Sequence, residues 1–194
     1  MKQYIIFISG LLIYTHAFSM PGYDVEQLEQ FNQTNSCANC NLAGAEIVRA
    51  KHKNALLKGV DLSQATVSHS NFEHADLTSA LLIRTRAIKV NMMKATFDGA
   101  NLISLDGKNS YFSGASFKNC LLNNANLSKA NLSSTDFTGA TLNNADLSYA
   151  ILIGAKITAE QLKQVKKLEC AVLPNGTVNN VPNLVCKNLT HPAG

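Results

Sequence analysis

The cysteines are the residues whose spacing first suggests chemistry. Cys37 and Cys40 are separated by two residues, a spacing found in zinc sites and in short-loop disulfides. A zinc site needs four ligands, and no second Cys or His pair lies at a suitable spacing in the sequence. We therefore keep three interpretations of this pair, in descending order: buried thiols of an N-terminal core, a short-loop disulfide, and half of a metal site.

The other three cysteines predict one disulfide and one buried thiol. Cys170 and Cys186 flank a turn signal at residues 173–176, so we prefer a disulfide between them in an oxidising compartment. Cys120 stands where small residues recur, and it is most simply part of the core. No metal ion or other cofactor is expected.

The histidines are expected to be structural. His69 and His74 occupy equivalent outward positions five residues apart, which points their rings away from each other. His52, between Lys51 and Lys53, occupies a position that is otherwise apolar, and a buried imidazole would need a partner. It could form a pH-sensitive or metal-binding site, but we favour a half-exposed histidine in an irregular early segment.

A catalytic site is not expected. Catalysis needs a nucleophile and base, a carboxylate pair or a phosphate loop in an irregular insertion, and no loop interrupts the regular part of this sequence. The aspartates of that part, such as Asp61 and Asp136, stand directly before a large apolar residue and are explained as stabilisers of the local fold. We therefore predict that the chain is not an enzyme.

A repeat of five residues must position all of these side chains. A large apolar residue, called here the centre, occurs at every fifth position from Leu42 to Ile157, which gives 24 pentads without insertion or deletion. The exceptions among the centres are His52, Ala87 and Gly107. A period of five fits neither an α-helix nor a strand, so something must turn the chain once per repeat.

The repeats resemble those of the pentapeptide-repeat family, whose motif is A(D/N)Lxx. Ala125-Asn126-Leu127 and Ala145-Asp146-Leu147 show it clearly, and the resemblance covers Cys40 to about Thr158. It implies an all-β fold: a right-handed quadrilateral β-helix, a β-solenoid of about six coils with four pentads per coil. In such a solenoid one large and one small side chain per pentad fill the interior.

One part of the repeat departs from the pattern. Gly107 leaves a centre empty where Leu105 enlarges the preceding small position, and Ala87 lies on the same face one coil earlier. Because empty repeat positions are usually closed by repacking, we expect local narrowing there rather than a ligand-sized cavity.

The N-terminal segment, residues 1–19, is predicted to be a signal peptide. Lys2 precedes an apolar run from Tyr4 to Tyr14, and small residues lead to a cleavage site after Ser19. The run is too short for an ordinary membrane helix, so the mature chain is expected to have no transmembrane segment. An uncleaved N-terminal anchor is the alternative, and the predicted location is the periplasm or the exterior of the cell.

Both ends of the repeat are expected to carry short α-helical caps, because an open coil edge would template aggregation. Residues 20–39 form the N-terminal cap, with a helix over Asp24 to Phe31. The pentads occupy 40–158. Residues 159–194 form the C-terminal cap and tail, with a capping box of Thr158 and Gln161 and a helix to about Leu168.

Two outward surfaces are candidates for binding. An apolar patch on the first face either meets a partner or a second copy, or is covered by a cap, a loop or the tail of the chain. It consists of Leu81, Ile83, Ile103 and Leu121. A basic strip on the early coils could meet an anionic envelope surface, although a merely solvated surface is favoured. It consists of Arg49, Lys51, Lys53, Arg86, Lys89 and Lys94.

These observations predict an exported scaffold or binding module that acts through protein–protein or surface interaction. Its partner is an unidentified protein, self-association is a second possibility, and nucleic acid is not expected. Some members of the family mimic DNA and bind DNA topoisomerases, which is the alternative function. That role calls for an acidic rod in the cytoplasm, whereas this chain carries a net charge of +4 and a signal for export.

Overall fold

The chain forms a β-solenoid with 20 residues in each coil. The computed structural model describes residues 22–180 and Cys186, together with the backbone of residues 5–8 and 11–14. Parallel bridges join residues 20 apart, from Ser36 with Leu56 to Asp136 with Lys156. Each pentad contributes one bridge residue and then a turn, because the chain changes direction every five residues. This is the β-solenoid that the resemblance to the pentapeptide-repeat family implied.

The interior is built from the two inward positions of each pentad. Most centres are fully buried, and Phe97, Phe117 and Phe137 form a stacked column with centroid distances of 4.8 and 5.2 Å. At the small inward position, Ser70, Thr85 and Ser110 donate to a carbonyl of the preceding coil, whereas Thr135 donates to the Leu132 carbonyl of its own coil. The Thr85 hydroxyl, for example, lies 2.7 Å from the Leu62 carbonyl oxygen. Inward hydroxyl groups are therefore satisfied without water.

The outward Asp or Asn before each centre stabilises its own turn. The Oδ1 atom of Asp136 accepts a hydrogen bond from the Thr138 backbone N–H at 3.0 Å, and Asn126 accepts in the same way from Ser128 at 3.1 Å. Two residues after the centre the backbone enters the left-handed region, as at Asn124 with φ of 60°. Asn and Gly suit this corner because they adopt left-handed backbone most readily.

Gly107 does not open a cavity. A Cβ atom built there would lie 3.1 Å from Leu127 Cδ2 and 3.4 Å from both Leu105 Cδ2 and Phe112 Cε2. The neighbouring side chains have moved into the space that a larger centre would occupy. The irregular stretch is closed by repacking, as expected from the enlarged residue at position 105.

The N-terminal part contains two short strands and one helix. Strands β1 (Ile5–Ile8) and β2 (Leu11–Tyr14) pair antiparallel. The rest of the predicted signal peptide, with the cleavage site after Ser19, lies outside the described residues. Helix α1 (Val25–Thr34) begins after the N-cap Asp24, whose carboxylate accepts from the Gln27 N–H at 3.1 Å. Within the described residues no helix is long and apolar enough to cross a membrane.

Helix α1 and its flanks lie against the first coil. Phe31 is its fully buried residue. The Asp24 N–H donates to the Asn41 carbonyl at 2.9 Å, and the Gln27 side-chain oxygen accepts from the Asn41 N–H at 2.7 Å. Asn35 ends the helix in the left-handed region with φ of 60°. The helix therefore contacts the coil edge through both hydrogen bonds and an apolar side chain.

Helix α2 (Ala159–Gln164) follows the last pentad and is shorter than expected. The capping box of Thr158 and Gln161 is present, but the helix ends at Gln164 and not near Leu168. The chain then returns to the solenoid, where the Lys166 N–H donates to the Ala145 carbonyl at 2.8 Å. Pairing with the last coil thus competes with helix continuation and stops the helix early.

Candidate interaction surfaces

The predicted apolar patch is an open surface of the described chain. Leu81 and Leu121 are 39% and 38% exposed, and they lie in one column on either side of Asn101. Ile83 and Ile103 are half-buried in the next column. They are one coil apart, so each covers part of the other at the bridge spacing of about 4.8 Å. No described segment covers the two leucines, and the tail after Cys186 lies outside the described residues.

The basic strip is exposed along its length. All six of its residues are exposed, and Arg49 and Lys89 lie two coils apart on one corner with His69 between them. Lys53 forms an ion pair with Glu73 at 3.2 Å, and His74 approaches the same carboxylate at 3.3 Å. The positive charge of Lys53 is therefore partly neutralised.

The acidic groups of the later coils are paired with lysines. Asp136 lies 3.3 Å from the Lys156 ammonium and 3.8 Å from that of Lys118. Hydrogen bonds from the Thr138 side chain and backbone, together with Lys156, lower the pKa of Asp136 to about 2. Asp146 is bound by Lys167 at 3.2 Å. These carboxylates stabilise turns and pair with cations, and they do not form a continuous acidic surface.

The cysteines form two disulfides among the described residues. Cys170 is bonded to Cys186, the pairing preferred from the sequence. Cys37 is bonded to Cys40, so the first-ranked interpretation, a pair of buried free thiols, is wrong, although both residues are buried. The third interpretation, half of a metal site, also fails because the two sulfurs are bonded to each other. Cys120 is a buried free thiol, and burial raises its pKa to about 12.

His52 is buried, which corrects the expectation of a half-exposed histidine. The side chain contacts the rings of Phe31 of α1 and Phe72 of the next coil at centroid distances of 4.1 and 5.5 Å, and these two parallel phenyl rings lie 6.5 Å from each other. The repeat register gave His52 an inward position. What the sequence could not show is that α1 brings the Phe31 ring against the imidazole.

Clusters of metal ligands and surface hollows are the other places where a site could lie. Within residues 22–180 and Cys186, no group of three or more His, Cys, Asp or Glu side chains is placed to hold a metal ion. Two surface hollows of about 530 and 440 Å³ lie beside the C-terminal segment. Their lining residues include none of the candidate residues predicted from the sequence. The apolar patch and the basic strip thus lie away from these two hollows.

Comparisons with known proteins agree with this architecture. Pentapeptide repeats match in eight copies that together span residues 36–106 and 110–158, more than half of the chain. No match was found among curated proteins. The solved structure of a trypsin-treated variant of QnrB1, a plasmid-mediated fluoroquinolone resistance protein, is similar with a TM-score of 0.56 and 19% identity. The similarity covers 67% of this chain and 66% of that chain, just under two thirds of its length.

A second similar structure comes from a plant. It is a pentapeptide repeat protein of the Arabidopsis thaliana thylakoid lumen, with a TM-score of 0.45 and 22% identity over 48% of this chain and 69% of that one. At these identities the structural likeness shows the fold alone. The repeat matches, by their extent, show the family.

Proposed function

The chain belongs to the pentapeptide-repeat family, and we propose that it is an exported binding module that presents a surface to a partner and carries out no catalysis. The observation that carries the proposal is the apolar patch, whose two leucines are more than a third exposed on a flat face. Contiguous apolar surface of this kind marks interaction sites in soluble proteins.

The fold that we propose for the module is the right-handed, four-sided form of the family, with α1 and α2 as caps. Support for the caps comes from their contacts. Helix α1 supplies Asp24 and Gln27 to the Asn41 backbone, and the Gln161 side chain of α2 donates to the Phe137 carbonyl oxygen at 2.7 Å and the Ala140 carbonyl oxygen at 2.9 Å. Groups that would template edge pairing are thereby occupied.

Export is supported by the sequence of residues 1–19 and by the cysteines. Disulfides persist in oxidising compartments and are rare in the cytosol, and this chain places two pairs within bonding geometry. Intact mass measurement of exported protein should give a chain that begins at Met20, with Cys170 and Cys186 linked. A full-length chain with both thiols alkylated would contradict export.

The apolar patch can be tested by a double substitution. Ile83→Asp with Ile103→Asp should leave the circular dichroism spectrum unchanged, because neither side chain faces the core. Self-association in light scattering, or retention of a partner from the exported compartment, should be lost because new charges would have to be desolvated.

The matched control uses the same outward column one coil before and one coil after the isoleucines. Ser63→Asp with Asn123→Asp adds the same charge outside the patch and should bind as the parent does. A folded double isoleucine variant that associates normally would exclude the patch and leave the basic strip to be tested. An unfolded variant would show that the patch is covered by the chain itself.

The alternative function is a DNA mimic directed at a DNA topoisomerase. The surface does not favour it, because Asp106, Asp136 and Asp146 each lie within 4 Å of a lysine ammonium. Inhibition of a purified topoisomerase by the mature chain would reverse this ranking.

A further inference from the structure

His52 lies inside the first coil with one ring nitrogen unpartnered. Its side chain is 6% exposed, and its ring planes make angles of 28° with Phe31 and 29° with Phe72. Phe31 belongs to α1 and Phe72 to the second coil, and the two phenyl rings also lie 6.5 Å from each other. The imidazole therefore forms part of the contact that holds the helix on the solenoid.

The hydrogen bonds of Asn35 fix the tautomer of the imidazole. The Asn35 amide nitrogen donates to the Lys53 carbonyl at 2.8 Å, so its oxygen is the atom that faces His52. That oxygen lies 2.9 Å from Nδ1, which must carry a proton in order to donate. Nε2 is then unprotonated, and it is buried without a hydrogen-bond partner among the described residues.

A proton on Nε2 would create a buried cation with an unsatisfied N–H beside two phenyl rings. Cation–π contact with the phenyl rings would stabilise the charged imidazole, but the free-energy penalty of an unpaired buried charge is larger. The charged side chains of the packed elements are exposed or paired with one another and do not offset it. They are Asp24, Glu26 and Glu29 of α1 and its N-cap, Lys51 and Lys53 of the same pentad, and Glu73 of the next coil.

We propose that protonation of His52 releases α1 from the first coil, so that the helix is a pH-sensitive latch over the N-terminal edge of the solenoid. Release would uncover the Asn41 N–H and carbonyl, which Gln27 and Asp24 now occupy. It would also free the Lys53 carbonyl and the Leu56 N–H, which Asn35 now binds. The latch thus controls access to a row of backbone groups that can pair with another strand.

The sign of the pH dependence follows from the two states of the imidazole. Burial lowers the pKa of His52 in the docked state below its ordinary value of 6.5, whereas the released imidazole is in water and titrates normally. The released state binds more protons, so docking is complete above about pH 6.5 and weakens as the pH falls towards the lower pKa. Within that window each pH unit favours release by up to about tenfold.

Hydrogen exchange measured by mass spectrometry on the full chain tests the latch. Peptides covering α1 are followed from pH 7.5 to pH 5, after correction for the intrinsic pH dependence of exchange, with α2 as the internal reference. We expect the opening constant of α1 to rise about three- to tenfold per pH unit below pH 6.5 while that of α2 stays constant. His52→Phe, which keeps the stack but cannot titrate, should abolish the pH dependence.

The control is His69→Asn, which removes an exposed histidine at a corner that suits Asn and should behave as the parent does. The proposal fails if α1 opening is independent of pH, if His52→Phe keeps the parent's pH dependence, or if α2 opens in parallel with α1. Should His52→Phe not fold, NMR titration of the parent decides the matter. A His52 pKa at or above about 6.5 in the docked state would overturn the latch.

Discussion

Two aromatic columns run through neighbouring faces of the solenoid interior, and they differ by one residue type. Phe97, Phe117 and Phe137 stack within 9° of parallel at 4.8 and 5.2 Å. In the second column His52 lies 5.5 Å from Phe72, and Phe31 of α1 lies 4.1 Å from His52, with both phenyl planes tilted by almost 30° from the imidazole. The repeat geometry places all of these rings except Phe31, so the solenoid accepts an imidazole where it elsewhere holds a phenyl group.

The coil fixes the position and burial of an inward side chain but not its response to pH. Position and burial are imposed by the period of five, because every inward side chain lies above one 20 residues earlier. Response to solvent conditions is not imposed. The phenyl column is held by apolar contact and has nothing to titrate, whereas the His52 column depends on one hydrogen bond to Asn35 and on a neutral ring.

The two ends of the solenoid repeat this contrast. At the N-terminal end the buried contact of α1 is the phenyl ring of Phe31, stacked on a titratable ring. At the C-terminal end the buried residue of α2 is Gln161, which gives two hydrogen bonds to carbonyl groups of the last coil and accepts one from the Thr158 N–H. An amide does not titrate, so the contact that Gln161 makes with the last coil should not respond to mild acid.

The largest loss of stability is expected when a histidine is placed in the phenyl column. Phe117→His removes a fully buried ring between two stacked neighbours and leaves ring nitrogens among phenyl groups. We expect a loss of about 3 kcal/mol in the free energy of unfolding at pH 7.5, and a larger loss below pH 6. Urea denaturation at the two pH values measures both effects.

Lys118→His is the matched control for this substitution. It introduces the same residue one position later, on the exposed side of the pentad. It should cost less than about 0.5 kcal/mol. Equal losses for the two variants would show that residue 117 does not face the interior.

A carboxylate at the C-terminal end should make stability depend on pH in the direction opposite to that expected at the N-terminal end. In Gln161→Glu one carboxylate oxygen can still accept from the Thr158 N–H, but the other faces two carbonyl oxygens and cannot donate to them when ionised. We expect a loss of about 2 kcal/mol at pH 7. The folded state raises the pKa of this carboxyl, so it binds more protons than the unfolded state and stability recovers as the pH falls below about 5.

Gln164→Glu provides the control on the same helix, because that side chain is exposed. Thermal unfolding between pH 7 and pH 4 distinguishes the two variants. A Gln161→Glu protein that loses stability in acid as the N-terminal end does would contradict the assigned hydrogen bonds.

Much of the fold could be predicted because the pentad pattern assigns the inward and outward positions of each repeat. The register of five gave the inward column of Phe97, Phe117 and Phe137, the outward position of Ile83 and the repacking around Gly107. The spacing gives the inward and outward positions, and the four pentads per coil that place residues 20 apart in one column were implied by the family resemblance. The apolar patch could be named from the sequence for the same reason, although its role as a binding surface is still a proposal.

What escaped prediction depends on segments outside the repeat. The buried state of His52 requires Phe31, and no pattern within α1 tells which coil its aromatic residue reaches. The Cys37–Cys40 bond was ranked second, because inward columns predict burial but not oxidation. The early end of α2 arises from competition between helix continuation and pairing with the last coil, which sequence propensity alone does not weigh.

The smallest effect is expected where the charge is outward, at Asp136. Asparagine can keep the hydrogen bond that Asp136 accepts from the Thr138 N–H at 3.0 Å, so Asp136→Asn removes mainly the pairing with Lys156 at 3.3 Å. The folded state holds the pKa of Asp136 at about 2, against 3.8 as the ordinary value. The stabilisation of the folded state by the Asp136 carboxylate is therefore complete above about pH 4 and is lost as the pH falls through 2. For a solvent-facing pair we expect Asp136→Asn to lower the free energy of unfolding by less than about 1 kcal/mol at pH 7.

Thermal midpoints between pH 7 and pH 2 should fall less steeply in the Asp136→Asn variant than in the parent. Asp61→Asn, which has the same turn and no lysine ion pair among the described residues, should leave the profile as it is. A loss above about 2 kcal/mol for Asp136→Asn would mean that outward charges support this solenoid as much as its interior columns do, and the contrast between interior and surface would fail.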